Sequence, residues 1–221
     1  IVSSPMVGEM ARSMGVAYEE VLTGFKWIAN RAMELKAKRG ARFLFGFEEA
    51  LGYSVGEICR DKDGIGAAAV FAELAADSKA RGRDPVDDLA DLYRRFGLYL
   101  SRQHAATMAG ATGQERIERI MEALRASPPR AIAGRAVRRV RDYQRGAILD
   151  EAGEEVGRLD LPSSNVLAFE LEGGTRVIAR PSGTEPKIKY YFDLREEVTA
   201  DESIEAAERR ATRALDALER D

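Results

Sequence analysis

Cysteine and histidine are nearly missing from this chain of 221 residues, in which Cys59 and His104 stand alone. A single thiol permits no intrachain disulfide and no thiolate metal cluster, and a single imidazole removes multi-histidine metal sites. A reducing, cytoplasmic setting fits that usage. Neither charge dominates: 34 basic side chains face 37 acidic ones, for a net charge of −3. Such a balance gives no general attraction to nucleic acid or an anionic membrane, so any anion site must be local. No stretch approaches the roughly 20 apolar residues of a membrane span. The opening IVSSPMVGEM has neither the charged nor the apolar region of a secretion signal. What is present, 45% hydrophobic and 32% charged residues with 20 Gly and 7 Pro, is the profile of a globular protein long enough for two domains.

The first hundred residues alternate strand and helix signals, which predicts an α/β layer domain with a mixed sheet over residues 1–100. Ile1 and Val2 read as the middle of a buried strand, as if the chain were cut from something longer. Ser4 and Pro5 then supply an N-cap and a first helical position. Gly15 predicts a left-handed stop, and VAYEEVL (16–22) reads as a strand. Phe25, Ile28, Ala32 and Leu35 mark an amphipathic helix ended by Gly40, before a short strand RFLFG (42–46). A helix is expected from Asp63 to Gly82, and another from Asp84 and Pro85 with Val86, Leu89, Leu92 and Phe96 inward. Residues 101–221 read as a linker helix and a smaller α+β domain with helices on one face of an antiparallel sheet. Its signals are a capping box at Thr112 and Glu115, a stop at Pro128 and Pro129, and strand-like runs AVRRV, VLAFEL, TRVIA and IKYYFDL. A last helix turns Ile204, Ala207, Ala211, Leu215 and Leu218 inward.

Three segments carry candidate chemistry. In RPSGTEPKIKY (180–190), Arg180 brings a fork of donors, Ser182 and Thr184 bring hydroxyls, Gly183 frees the backbone, and Lys189 adds charge from the next strand. That set suits a phosphate or carboxylate, although a polar hairpin connection uses the same residues for turn reasons. Glu48 and Glu49 follow an apolar strand, where α/β sheets place ligand groups, and carboxylates accept well from sugar hydroxyls; the alternative is a solvated loop. In LTGFKW (22–27), Thr23 and Gly24 lead into a helix whose N-terminus can meet an anion, with Lys26 beside it. Asp61 and Asp63 fail as a calcium loop on spacing and read as a helix start. The basic run Arg135, Arg138, Arg139, Arg141 and Arg145 alternates with Val137 and Val140, so it reads as a solvated strand face rather than a nucleic-acid surface. His104 and Cys59 read as structural.

TGFK (23–26), GFEEALGY with RDKDGI (46–53 and 60–65) and RPSGTEPK (180–187), in this order, resemble the three signatures of the α-D-phosphohexomutase family. These are the phosphoglucomutases and phosphomannomutases, and the resemblance is to their carboxyl-terminal half, over the whole chain. It implies that residues 1–100 form the third domain with the sugar-recognition loop, and 101–221 the fourth, whose loop grips the substrate phosphate. Thr23, Gly24, Lys26, Glu48, Glu49, Arg180, Ser182, Gly183, Thr184 and Lys189 are then the substrate-binding residues. Glu48 matches the family's hydroxyl acceptor, and Lys26 a lysine near the transferring phosphoryl group that assists catalysis. Ala50 stands where many members have a serine, and Lys189 where some carry an arginine. The implied activity interconverts sugar 1-phosphates and 6-phosphates through a phosphoserine and a sugar bisphosphate, with Mg²⁺. The family's serine loop (TASHNP-like) and magnesium loop (DGDGDR type) occur nowhere in the sequence. The resemblance thus places phosphoserine and Mg²⁺ in N-terminal domains of the same protein and leaves this chain alone inactive. A phosphopentomutase or sugar-bisphosphate synthase on the same scaffold, or a non-catalytic sugar-phosphate binding module, are the alternatives.

Overall fold

Capping chemistry sets the helix ends in the first part of the chain. In a computed structural model describing residues 1–110, 112–183 and 185–220, contacts divide the chain into Ile1–Phe96 (unit 1) and Gly97–Asp221 (unit 2). Helix α1 (Met6–Ser13) begins after Ser4, whose Oγ accepts the Met6 N–H at 3.4 Å. Helix α2 (Phe25–Arg39) stops at Gly40, which takes the left-handed conformation no β-carbon favours. The Asp63 carboxylate opens α3 (Gly64–Ala80) by accepting the Gly66 N–H at 2.8 Å, so the RDKDGI aspartates do start a helix. Asp84 does the same for α4 (Pro85–Phe96), accepting from Val86 and Asp87 at 2.8 and 2.9 Å.

The unit 1 sheet differs from expectation. Among the described residues its ladder is an antiparallel hairpin, β1 (Phe45–Glu48) with β2 (Gly52–Val55), rather than a mixed sheet. The strand read at 42–46 therefore starts later, and its partner is 52–55, to which the sequence reading assigned no element. Residues 16–22 form no ladder. Side chains hold that segment instead: Glu19 pairs with Arg31 of α2 at 3.1 Å, and the Tyr18 ring lies where a β-carbon on Gly8 would meet it at 2.8 Å. Ile1 and Val2 are likewise outside any strand, tied to that segment by the Ile1 backbone nitrogen, which donates to the Val21 carbonyl at 2.9 Å. Val86 and Leu89 of α4 face solvent, because α4 meets α3 through Asp88, which accepts from Ser78 and Arg81.

Unit 2, the longer of the two, is the α+β part. Among the described residues its eight strands are β3 (Leu98–Thr107), β4 (Ala131–Ile132), β5 (Arg135–Asp142), β6 (Ala147–Leu149), β7 (Glu155–Arg158), β8 (Leu167–Leu171), β9 (Arg176–Pro181) and β10 (Lys187–Glu196). They pair antiparallel in the order β3-β10-β9-β8-β5-β6-β7, with β4 beside β5. Register aligns Asp142, Leu167, Ala179, Tyr190 and His104 in one row across the sheet. From that row Asp142 meets Arg125 of α5 (Gly113–Ala126) at 3.3 Å, and His104 meets Glu219 of α6 (Ile204–Arg220) at 3.2 Å. Paired residues of an antiparallel ladder share a face, so both helices dock on the same one. The α6 stripe Ala207, Ala211, Leu215 and Leu218 is buried there as its spacing predicts. The capping box is not made: Thr112 sits at φ −95°, ψ 7°, outside the extended region from which an N-cap hydroxyl reaches back, and makes no capping bond. In β5, Val137 and Val140 are buried while Arg135, Arg138 and Arg141 pair with Glu196, Glu151 and Glu170. No helix among the described residues is long and apolar enough to cross a membrane.

Candidate functional site

In unit 1 the hairpin and α2 bring two of the three signatures together. Gly24, the residue before α2, has φ +123°, a backbone that side chains rarely allow, and its N–H donates to a Glu48 carboxylate oxygen at the end of β1. The negative group at this helix start is thus the chain's own, and the macrodipole favours it there. Glu48 takes the Gly24 N–H at the helix start read above as able to meet an anion. The glycines of GFEEALGY fit the hairpin against α2. A β-carbon on Gly52 would lie 2.5 Å from the Phe25 ring, and one on Gly46 2.7 Å from Ile28. Thr23 is half-buried; Lys26 is exposed, its Nζ 5.1 Å from the centroid of the adjacent Trp27 ring. Glu49 is engaged with the chain start, donating its N–H to Ser3 Oγ at 2.9 Å and accepting from the Ser4 N–H at 3.3 Å. Thr23 and Glu48 line a largely apolar cavity of about 530 Å³ with Val7, Met10, Ile28 and Phe45, within the size range of small-molecule sites.

In unit 2 the third signature is the connection from β9 to β10. Arg180 and Lys189 are direct cross-strand partners, so two cations stand side by side at the base of the loop. The Ser182 N–H donates to the Lys187 carbonyl and the Lys187 N–H to the Glu185 carbonyl, both at 2.7 Å. Gly183 is exposed, and a β-carbon on it would meet no atom within 4 Å. Thr184 lies outside the described residues. Among the described residues no group of three or more His, Cys, Asp or Glu is arranged to hold a metal ion. Cys59 is half-buried, lining a cavity of about 110 Å³ beside Phe25 and Ile28.

One contact escaped the sequence reading. The Met108 N–H, one residue past β3, donates to the Pro186 carbonyl at 2.8 Å, and Gly113 at the start of α5 packs against the same proline. Gly110 and Gly113 around Thr112 were the available signal.

Two family models match the chain. The one described as phosphoglucomutase/phosphomannomutase, alpha/beta/alpha domain III, covers residues 1–96, and the one described as phosphoglucomutase/phosphomannomutase, C-terminal domain, covers residues 133–211. A probable phosphomannomutase of Haemophilus influenzae is 40% identical over 196 residues, 88% of this chain and 35% of the relative. A phosphoglucomutase of Staphylococcus epidermidis is 36% identical over 194 residues, again 88% of this chain and 35% of the relative. The chain therefore spans about a third of the length of the curated relatives it matches. Its fold is similar to that of the exocytosis-sensitive phosphoprotein pp63/parafusin, a phosphoglucomutase from Paramecium, in its open form. That likeness has a TM-score of 0.59 at 16% identity and covers 98% of this chain and 36% of that one. With both of its units matched by models of successive domains, the chain belongs to the phosphoglucomutase/phosphomannomutase family, of which it carries domain III and the C-terminal domain.

Proposed function

We propose that this chain supplies the sugar- and phosphate-recognising part of a phosphosugar mutase acting on hexose monophosphates. The observation that carries this reading is the pairing of Arg180 with Lys189 at the mouth of the Ser182–Gly183 turn. Two cations and a hydroxyl around one loop suit a phosphate dianion, the guanidinium as a bidentate donor and the ammonium as a compact charge. The family resemblance assigns Thr184 to the same grip. In unit 1, Glu48 is the acceptor for sugar hydroxyls, with Gly24 orienting its carboxylate; Thr23, Lys26 and Glu49 complete that loop cluster. A carboxylate fixed by a backbone N–H distinguishes epimers by where their hydroxyls lie.

The overall reaction in this reading passes a phosphoryl group from an enzyme phosphoserine to the sugar monophosphate, and the bisphosphate returns its other phosphate to the serine. This chain's part is to bind and orient the substrate. The described residues do not fit a resident Mg²⁺, and Asp63, the nearest thing to a candidate, is occupied as the α3 cap. The family resemblance assigns the ion and the phosphoserine to N-terminal domains outside this chain, in a reducing cytoplasm.

Calorimetric titration with glucose 1-phosphate and mannose 1-phosphate tests this. Replacing Arg180 with Ala is expected to weaken binding of either by about 1.5–3 kcal/mol, the usual worth of a hydrogen bond to a charged group. Unchanged affinity in Arg180→Ala would remove the phosphate assignment. In the longer protein, Glu48→Gln is expected to change discrimination between the two sugars more than affinity for inorganic phosphate. Equal effects on both would count against a hydroxyl-reading role.

A further inference from the structure

Glu48 stands at the edge of a short, strained turn. It is the last residue of β1 and the cross-strand partner of Gly52, the first of β2, so 49–51 is a three-residue hairpin tip. Leu51 closes the tip at φ +57°, the left-handed region that favours glycine, with its side chain 82% exposed. All three tip residues are exposed, and two neighbouring glutamates bind the tip to the rest of unit 1. The Glu48 carboxylate accepts from the Gly24 N–H ahead of α2, and that of Glu49 from the Ser4 N–H ahead of α1 at 3.3 Å. Ser3 adds an anchor on the backbone itself. Its Oγ accepts the Glu49 N–H at 2.9 Å across 46 residues of sequence, which fixes the peptide unit joining Glu48 to Glu49. The same opening segment holds Val21, three residues before Gly24, through the Ile1 backbone nitrogen. Residues 1–4 thus meet both arms that orient the Glu48 carboxylate.

We infer that Ser3 is a positioning residue for Glu48: its hydroxyl holds the peptide unit beside the carboxylate, in a turn strained at Leu51, so that Glu48 meets a sugar hydroxyl in one orientation. This rests on the hydroxyl-reading role proposed for Glu48 above and adds to it a residue outside all three signatures. Ser3 is half-buried and lines the same cavity as Thr23 and Glu48, and it acts through the Glu49 backbone. A turn that is both strained and exposed drifts when a tether is cut, and misplacement by about 1 Å is enough to cost a site most of its function.

The test compares glucose 1-phosphate with inorganic phosphate in calorimetric titrations of the full chain, with amide hydrogen exchange and thermal unfolding in parallel. Ser3→Ala is expected to weaken glucose 1-phosphate binding by about three- to tenfold, the worth of one neutral hydrogen bond, and to leave phosphate affinity unchanged. The Glu49 amide is expected to exchange faster in that variant. Ser3→Thr keeps the hydroxyl and is expected to restore both readings. Ser3→Cys, close in size and a weak acceptor, decides the matter should Ser3→Ala fail to fold. Parental sugar-phosphate affinity in the folded Ala or Cys variant, with Glu48→Gln impaired, overturns the positioning role and leaves the Glu48 reading standing. So does a loss that Ser3→Thr fails to restore, or one shared equally by inorganic phosphate. Undiminished affinity in Glu48→Gln, or a parent chain that binds glucose 1-phosphate no better than phosphate, overturns the Glu48 reading and the positioning role with it.

Discussion

The two units treat their apolar side chains in opposite ways. Unit 2 buries them between its sheet and the helices on it, with Leu98, Ile117, Met121, Ile178, Ile188 and Leu194 each fully or almost fully hidden. In unit 1 the buried hydrophobics are Val2, Leu22, Phe25 and Phe96, whereas Ile58 is 96% exposed, Ile65 88% and Leu51 82%. Of the large hydrophobics exposed among the described residues, all but Val156 belong to unit 1. Among the described residues unit 1 has four α-helices to the two of unit 2, so the difference is the sheet: a two-stranded hairpin offers one small face, while eight strands give α5 and α6 a floor. Unit 1 accordingly depends on local devices, caps, ion pairs and close glycine contacts, and unit 2 on long-range packing.

The sharpest break of this contrast is at Asp193. Its carboxylate lies in the unit 2 sheet, accepting from Arg176 Nε at 2.6 Å and Ser101 Oγ at 2.8 Å. Asp193→Ala takes that carboxylate away from both the buried Arg176 and Ser101, a loss of about 3–5 kcal/mol. Urea unfolding followed by hydrogen exchange is expected to show it in the amides of β8–β10, and an unshifted midpoint would mean that the polar row contributes nothing to that packing. Gly52→Ala tests unit 1 at its tightest point. The new methyl would press on Phe25 at 2.5 Å, an overpacking cost of about 1–3 kcal/mol that thermal unfolding would register. A neutral result there would show the hairpin to be free to lift from α2.

The smallest effect expected is acid loss of the α2 surface pairs. Lys38, then Arg31, hydrogen-bond to Glu34 and pull its pKa down to about 2. A carboxyl lowered on folding contributes its stabilisation above its ordinary value near 4.5 and loses it as pH falls from there toward 2. An NMR titration of the Glu34 carboxyl reads this directly, and a midpoint at the ordinary value would show that the pairs do not form.

Where a signal was local, the sequence was enough. Gly40, Asp63 and the α6 stripe act within a turn or two of themselves, and VLAFEL, TRVIA and IKYYFDL carry runs of residues suited to central strands. β3 was missed because LYLSRQHAAT has no strong alternation; its partner in β10 imposes the extended form. Residues 16–22 had the composition of a strand and no ladder to join. Thr112 and Glu115 matched a capping pattern whose backbone angles were then set by the turn at Gly110. The site divides in the same way: the three motifs were visible as strings, while the Gly24–Glu48 bond and the Gly113–Pro186 contact depend on segments tens of residues apart.

Pairing of β3 with β10 also dictates an order of events during synthesis. Ser101 faces Asp193 across 92 residues of chain, so the first described strand of unit 2 to leave the ribosome must wait for the last before its inner edge is satisfied. Closing so long a loop is slow, and an unpaired strand edge is the part of a nascent chain most prone to stick to its neighbours. Arg102, whose ion pairs with α6 form last of all, keeps that waiting strand charged in the meantime, and His104 adds a polar side chain beside it. A strand that looks weak by its composition is in this respect well suited to its place: it stays soluble alone and becomes ordered only when the rest of the sheet arrives to receive it.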